Sequence, residues 1–419
     1  MKQLIYVVFA MLMLASCSSD EPKHAPNTQP QAEPIELSRS EQEIVKAQKD
    51  FSVDFFKTVC KTEDSDKNIL VSPLSMSMAL SMVANGAEGE TLAEIINTLG
   101  YSADELETVN NLNKTLMERL PSMDNQTTVA IANSFWTDKN VLADQNFAQL
   151  VSSYYRAEVN SIPLRTEEGR IAVNSWISDN TRGMITEFLS GPVPDALCIL
   201  CNALYFAGEW SQSFDEKNTN RATFHNFDDR QVGVSMMHQK GEMANYIESV
   251  PGGNSKTGFS VVRKTYGNGA YAMTMVLPAK DETLSSLLSR LDASVIEEWE
   301  SKLTSSEVML SLPRFECEYG NEYLITHLNM LGIRKAFEPN AEFSGILAGG
   351  ANELFIKSVA QKNKVKVDES GTVAASSSVI IMGDTANAIP SVAFDRPFMY
   401  YISEQSTGAI LFMGCVNAF

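Results

Sequence analysis

Apolar and polar positions follow two different periods along this chain. Ile44, Ala47, Phe51, Phe55 and Val59 recur every three or four residues, which puts them on one helix face and predicts an amphipathic helix over 41–60. Ser40 with Glu43 reads as its capping box. Ser72-Pro73 is the preferred order for opening a second helix, Leu74 to Ala84 is apolar nearly all round, and Gly86 ends it. That helix is expected to be central and buried. Helical spacing returns at 89–99, 103–119, 144–155, 167–180, 283–291 and 321–331. Strand-like runs occur at 127–137, 196–207, 260–264, 270–277, 306–318, 353–367, 392–394, 398–402 and 409–415. Helices dominate early and strands late, an α+β pattern.

The first residues read differently. Met1 and Lys2 precede an apolar run from Leu4 to Leu14, and Leu14-Ala15-Ser16-Cys17 follows. A short apolar stretch with a basic start and small residues before a cut site reads as a secretory signal over 1–16, too short to span a membrane as a mature helix. Leu-Ala-Ser-Cys resembles the lipobox of bacterial lipoproteins, which makes Cys17 the expected lipidated first residue and the membrane a partner through that anchor. Ser18 at the next position favours the outer membrane, at its periplasmic face or the cell surface. Pro22, Pro26, Pro30 and Pro34 with polar neighbours make 17–37 a disordered tether. No later linker or repeat divides the chain, so 38–419 reads as one domain, expected to be a monomer.

A net charge of −19 argues against nucleic acid as a partner. The Cys residues after Cys17 are scattered and odd in number, which is no disulfide framework. Cys198-Ile-Leu-Cys201 has redox-motif spacing, but it lies in an apolar run and reads as two buried thiols. His24 sits in the tether, and His225, His238 and His327 lack ligand-like spacing, so no metal is expected. No phosphate loop, nucleophile elbow, zinc helix or dinucleotide fingerprint occurs, and no cofactor is expected.

One segment stands out against an otherwise charged chain. Between Gly371 and Gly383 there is no Asp, Glu, Lys or Arg, although charged residues make up 20% of the chain. Small residues (Gly371, Thr372, Ala374, Ala375, Ser376, Ser377, Ser378) lead into β-prone Val379, Ile380 and Ile381, and turn formers Gly383, Asp384, Asn387 and Pro390 follow. The composition suits a central strand, and the flanks suit an exposed loop.

Motifs from residue 68 onward supply a context. Asn68-Ile-Leu-Val-Ser-Pro-Leu-Ser75, Asn174 to Ile185, Asn202-Ala-Leu-Tyr-Phe-Ala-Gly-Glu-Trp210, Leu312-Pro-Arg-Phe315, Leu331 to Phe337, Phe343-Ser-Gly-Ile346, Phe394-Asp-Arg-Pro-Phe398 and Leu411-Phe-Met-Gly414 occur in the order found in the serpins. The chain resembles that family. The resemblance implies a serpin fold: a large central mixed sheet, further sheets, eight or nine helices, and an exposed reactive loop at about 369–392. It also implies inhibition of a protease, with the loop as substrate mimic and no catalytic residue in the chain.

Carried over by position, Glu369 falls at the loop base and Arg314 matches its usual partner. Gly371, Thr372, Val373, Ala374, Ala375, Ser376 and Ser377 form the hinge, whose small uncharged residues favour an inhibitor. Ser72, Ser75 and Asn202 match the polar cluster under the opening sheet, and Trp210 the place where insertion starts. Gln361 stands where the family usually has His, leaving the pH response and ease of sheet opening open. The usual loop length counted from Glu369 puts the scissile bond between Thr385 and Ala386; counting back from Pro397-Phe398 puts it between Ala386 and Asn387. A small uncharged residue at the cut suits an elastase-like serine protease or a papain-like cysteine protease. Met382 is the second-choice cut, for chymotrypsin-like enzymes, where substrate behaviour is expected.

Insertion of about a dozen residues as a strand would add around ten ladder hydrogen bonds, each worth about 1 kcal/mol net. Burial of Val379 to Met382 would add several kcal/mol more, on the order of 10 kcal/mol in all. The alternative reading is a serpin that is cleaved without trapping, or serves as a surface binding protein. A hydrolase working through its carboxylates is the third class.

Overall fold

Ser38, not Ser40, opens the first helix. Glu41 N–H donates to Ser38 Oγ at 3.3 Å and Ser38 N–H to Glu41 Oε2 at 2.8 Å, so the capping box lies two residues before the expected one. Two Ser-x-x-Glu frames overlap there, and the earlier one caps a helix longer by two residues. The computed structural model describes residues 32–194, 196–249, 257–321, 324–349, 354–357, 359, 361–372 and 389–419. All of these belong to one compact unit, Gln31–Phe419.

Nine α-helices lie among the described residues: α1 Arg39–Thr62, α2 Pro73–Ala84, α3 Gly89–Leu99, α4 Leu106–Arg119, α5 Gln145–Tyr155, α6 Glu167–Asn180, α7 Leu284–Ser289, α8 Ala293–Lys302 and α9 Leu324–Leu331. None is long and apolar enough to cross a membrane. The strands are β1 Ile69–Val71, β2 Thr127–Asp138, β3 Glu158–Ile162, β4 Cys198–Glu209, β5 Asn220–His225, β6 Gln231–Ser249, β7 Thr257–Tyr266, β8 Tyr271–Leu277, β9 Thr304–Pro313, β10 Phe315–Asn321, β11 Gln361–Val367, β12 Gly371–Thr372, β13 Ser391–Ala393, β14 Phe398–Glu404 and β15 Ile410–Val416.

Nine strands form one mixed sheet in the order β1-β15-β14-β8-β7-β6-β9-β13, with β5 on β6 and β13 running parallel to β9. Strands β8, β14 and β15 are buried along their whole length, which suits their largely apolar sequences. Beside this sheet lie the four-stranded sheet β12-β4-β2-β3 and the pair β10-β11. Among the described residues β11 pairs only with β10, and β4 pairs with β2 along its length but with β12 only at its end.

Helix α2 is buried at nearly every position and packs against α1, β4 and β15. The strand expected over 306–318 is broken. Chain direction changes at Arg314, which leaves β9 in the large sheet and starts β10 in the two-stranded one. Pairing in the 353–367 run begins only at Gln361. Strands β3 and β5, the 19-residue β6, and helix α8 were not anticipated. In β6, Gly233, Gly241 and several polar residues hide the alternation.

Candidate functional site

The base of the uncharged segment is tied down by one buried carboxylate. Glu369 lies between β11 and β12, and Arg314 Nε reaches both its oxygens, at 2.7 Å and 2.6 Å. Thr219 Oγ1 donates to the same carboxylate. Burial would raise the Glu369 carboxyl, but the Arg314 and Thr219 hydrogen bonds outweigh it and hold the group below its ordinary range. The hydrogen bond to Glu369 raises Arg314 in turn.

Backbone bonds complete the attachment. Trp210 N–H donates to Ser370 O at 2.8 Å, Trp210 Nε1 to Asp368 O at 3.0 Å, and Phe214 N–H to Glu369 O at 2.8 Å. The indole stacks on Tyr266 with ring centroids 4.3 Å apart. Gly371 then pairs with Glu209 and Thr372 with Gly208 in an antiparallel register. Gly371 has φ of 147°, and a Cβ there would sit 2.2 Å from Gly208 O, so a side chain is excluded where the segment joins β4.

A second polar group lies under the sheet. Gln361 Oε1 accepts from Ser72 N–H at 2.9 Å while Gln361 Nε2 donates to Ser72 O at 2.8 Å. Asn363 Nδ2 supports the same Oε1 at 2.9 Å, and Ser72 Oγ donates to Leu411 O at 2.8 Å. One turn along α2, Ser75 Oγ donates to Asn202 Oδ1, Asn202 Nδ2 to Asn133 Oδ1 at 2.6 Å, and Asn133 Nδ2 to Tyr155 O at 2.7 Å. Ser72 and Ser75 thus anchor two chains, one to β11 and one to β4 and β2. Of these strands, β11 and β4 are the two that adjoin the loop base.

Val373, Ala374, Ala375, Ser376, Ser377, Met382, Thr385, Ala386, Asn387 and Cys17 lie outside the described residues. Cys198 and Cys201 sit three apart on β4 and so point to opposite faces, and burial pushes each thiol up to about 12. His238 bonds Ser311 at 2.8 Å and His327 bonds Thr62 at 2.6 Å.

The profile described as "Serpin (serine protease inhibitor)" matches residues 46–418. The chain is a serpin. It is 31% identical over 373 residues to human neuroserpin, covering 88% of this chain and 90% of that one. It is 31% identical over 374 residues to plasminogen activator inhibitor 1 of Sus scrofa, covering 88% and 90%. The native-state crystal structure of the thermophilic serpin tengpin superimposes with a TM-score of 0.81 at 27% identity, covering 93% of this serpin and 98% of tengpin. The large mixed sheet with further sheets and nine helices is the expected α+β serpin architecture.

Sequence reading missed several partners in this serpin. Thr219, Asn133, Asn363 and Tyr155 complete the two hydrogen-bonded groups, and no local pattern marks them. Lys264 carried a signal. It is a charge at the end of the strand-like run 260–264.

Proposed function

We propose that this serpin is a single-use protease inhibitor that traps an elastase-like serine protease or a papain-like cysteine protease as an acyl complex. The register of β12 on β4 carries this reading. Continued residue for residue, it would bring Val373 opposite Ala207 and Met382 opposite Cys198, so the uncharged run would end where β4 does. Ala374, Ser376, Ser378 and Ile380 would share the inner face of Phe206, Leu204 and Asn202. Val373, Ala375, Ser377, Val379 and Ile381 would lie on the face that α6 covers. No charge would be desolvated on either face.

In the trap, the protease nucleophile attacks the carbonyl of Thr385 or Ala386, the peptide bond breaks, and the new amine leaves on Ala386 or Asn387. The ester or thioester keeps the enzyme attached while the freed strand pairs with β4, an established instance of strand addition. Dragging the acyl group out of register with its oxyanion donors and base stalls deacylation. The lipobox-like start supports an exported lipoprotein anchored at Cys17 to the outer membrane.

Protein lacking residues 1–17, mixed with an elastase-type protease, tests this on a denaturing gel with mass spectrometry of the released peptide. A detergent-stable complex and a fragment starting at Ala386 or Asn387 are expected. Clean cleavage without a complex, repeated with a papain-like enzyme, would instead establish a serpin that no longer inhibits.

A further inference from the structure

Lys264 is buried on β7, and no ion pair to a carboxylate is seen for it among the described residues. Its Nζ donates to Gln239 Oε1 at 2.6 Å and to Gln212 O, and lies 5.2 Å from the centre of the Trp210 ring and 4.7 Å from that of Phe214. Gln239 Nε2 also donates to Gln212 O and Ser213 O, at 3.3 Å and 3.1 Å. One side of the 210–214 segment is therefore pinned to the large sheet. Its other side holds the loop base through the Trp210 and Phe214 amides.

We propose that Lys264 is the positioning residue that locks the 210–214 segment, so that the proton on its amine sets how readily the loop base is released. The inference rests on the inhibitory reading, because that base is the fixed end from which the freed strand would pair on with β4. Burial alone pushes the Lys264 ammonium down to about 7. Charged groups on the packed elements have partners of their own. On β6, His238 bonds Ser311 and Lys240 pairs with Glu307; on β7, Arg263 bonds Thr274 and Glu300; on β8, Tyr271 donates to Leu120 O. Asp215 accepts from Lys217 N–H, and Glu369 is held by Arg314.

The sign follows from proton linkage. A neutral amine keeps two N–H groups, enough for both acceptors, and escapes the cost of a buried charge. Once released, the hydrated amine returns to its ordinary value of about 10.4. Below about 7 the group is charged in both states and release is easiest. Between the two values release takes up one proton, so it becomes rarer by up to about tenfold per pH unit.

Hydrogen exchange of the Trp210 and Phe214 amides in the full chain, corrected for intrinsic exchange rates, reads this opening directly at pH 6 to 9. The opening constant is expected to be level below about 7 and to fall by up to about tenfold per unit above it. Lys264→Met should give a level profile throughout. Gln239→Glu places a carboxylate beside the ammonium and should move the break to higher pH, which tests the idea even if Lys264→Met does not fold. A level wild-type profile, an unchanged slope in Lys264→Met, or an unmoved break in Gln239→Glu would overturn the proposal. Covalent trapping is a separate readout: trapping with a level profile defeats this inference alone, and a sloping profile without trapping defeats only the inhibitory reading.

Discussion

Gln361 grips both backbone groups of Ser72, accepting from its N–H and donating to its carbonyl. A primary amide has donor and acceptor side by side on one carbon. A neutral imidazole carries them on opposite edges of a rigid ring and cannot serve both groups of one residue. Gln361→His should therefore lower stability by about 1 kcal/mol at pH 8. It should fall further at pH 5, where the imidazolium has no acceptor left for the Ser72 N–H. Thermal melts of both proteins at the two pH values check this, and parallel curves would refute it.

Loss of Arg314 should leave the Glu369 carboxylate buried without its cationic partner. Arg314→Ala is expected to cost on the order of 1 kcal/mol at pH 7, kept small because the Arg314 side chain is 45% exposed and screened. Glu369 is held below its ordinary range, so its contribution is present above about pH 4.3 and lost as pH falls through the folded value. Denaturant titrations should show the mutant and wild type converging below pH 4.

Gly371→Ala should change the outcome of cleavage. Its Cβ would meet backbone atoms of Gly208, Glu209 and Trp210, which cannot swing aside as a side chain could. The existing pair of Gly371 with Glu209 should be disrupted, and strand addition, which would continue from it, should stall. With protease, the variant should yield cleaved product in place of stable complex, a ratio that gel densitometry measures.

Asn202→Ala should remove the link between Ser75 and Asn133. Asn133 Oδ1 would then be buried without its donor, at a cost of about 1–3 kcal/mol. A melting temperature several degrees lower is expected, measured by differential scanning calorimetry.

What was legible in the sequence was local. Ser72-Pro73 announced α2 because cap and first turn are adjacent residues. The break at Arg314 was not legible, since β-prone residues run on both sides and only the docking of two different sheets ends one strand and begins the next. Glu369 and Arg314 lie 55 residues apart, and only the resemblance to serpins named them as a pair. Thr219, which shares the carboxylate, has no feature in Asn218-Thr219-Asn220 to distinguish it. Lys264 could be seen as a charge in a strand, but its inward direction and its acceptors on Gln212 and Gln239 come from packing between distant segments.

Among the described residues β4 is paired on its β12 side only at its end, and that edge sets a limit of a different kind. On the inhibitory reading proposed above, that edge would take one strand, supplied by the same chain, so each molecule would act a single time. Protection then scales with the number of copies present and not with elapsed time. Anchored copies on a membrane would form a finite stock, replenished only by new synthesis.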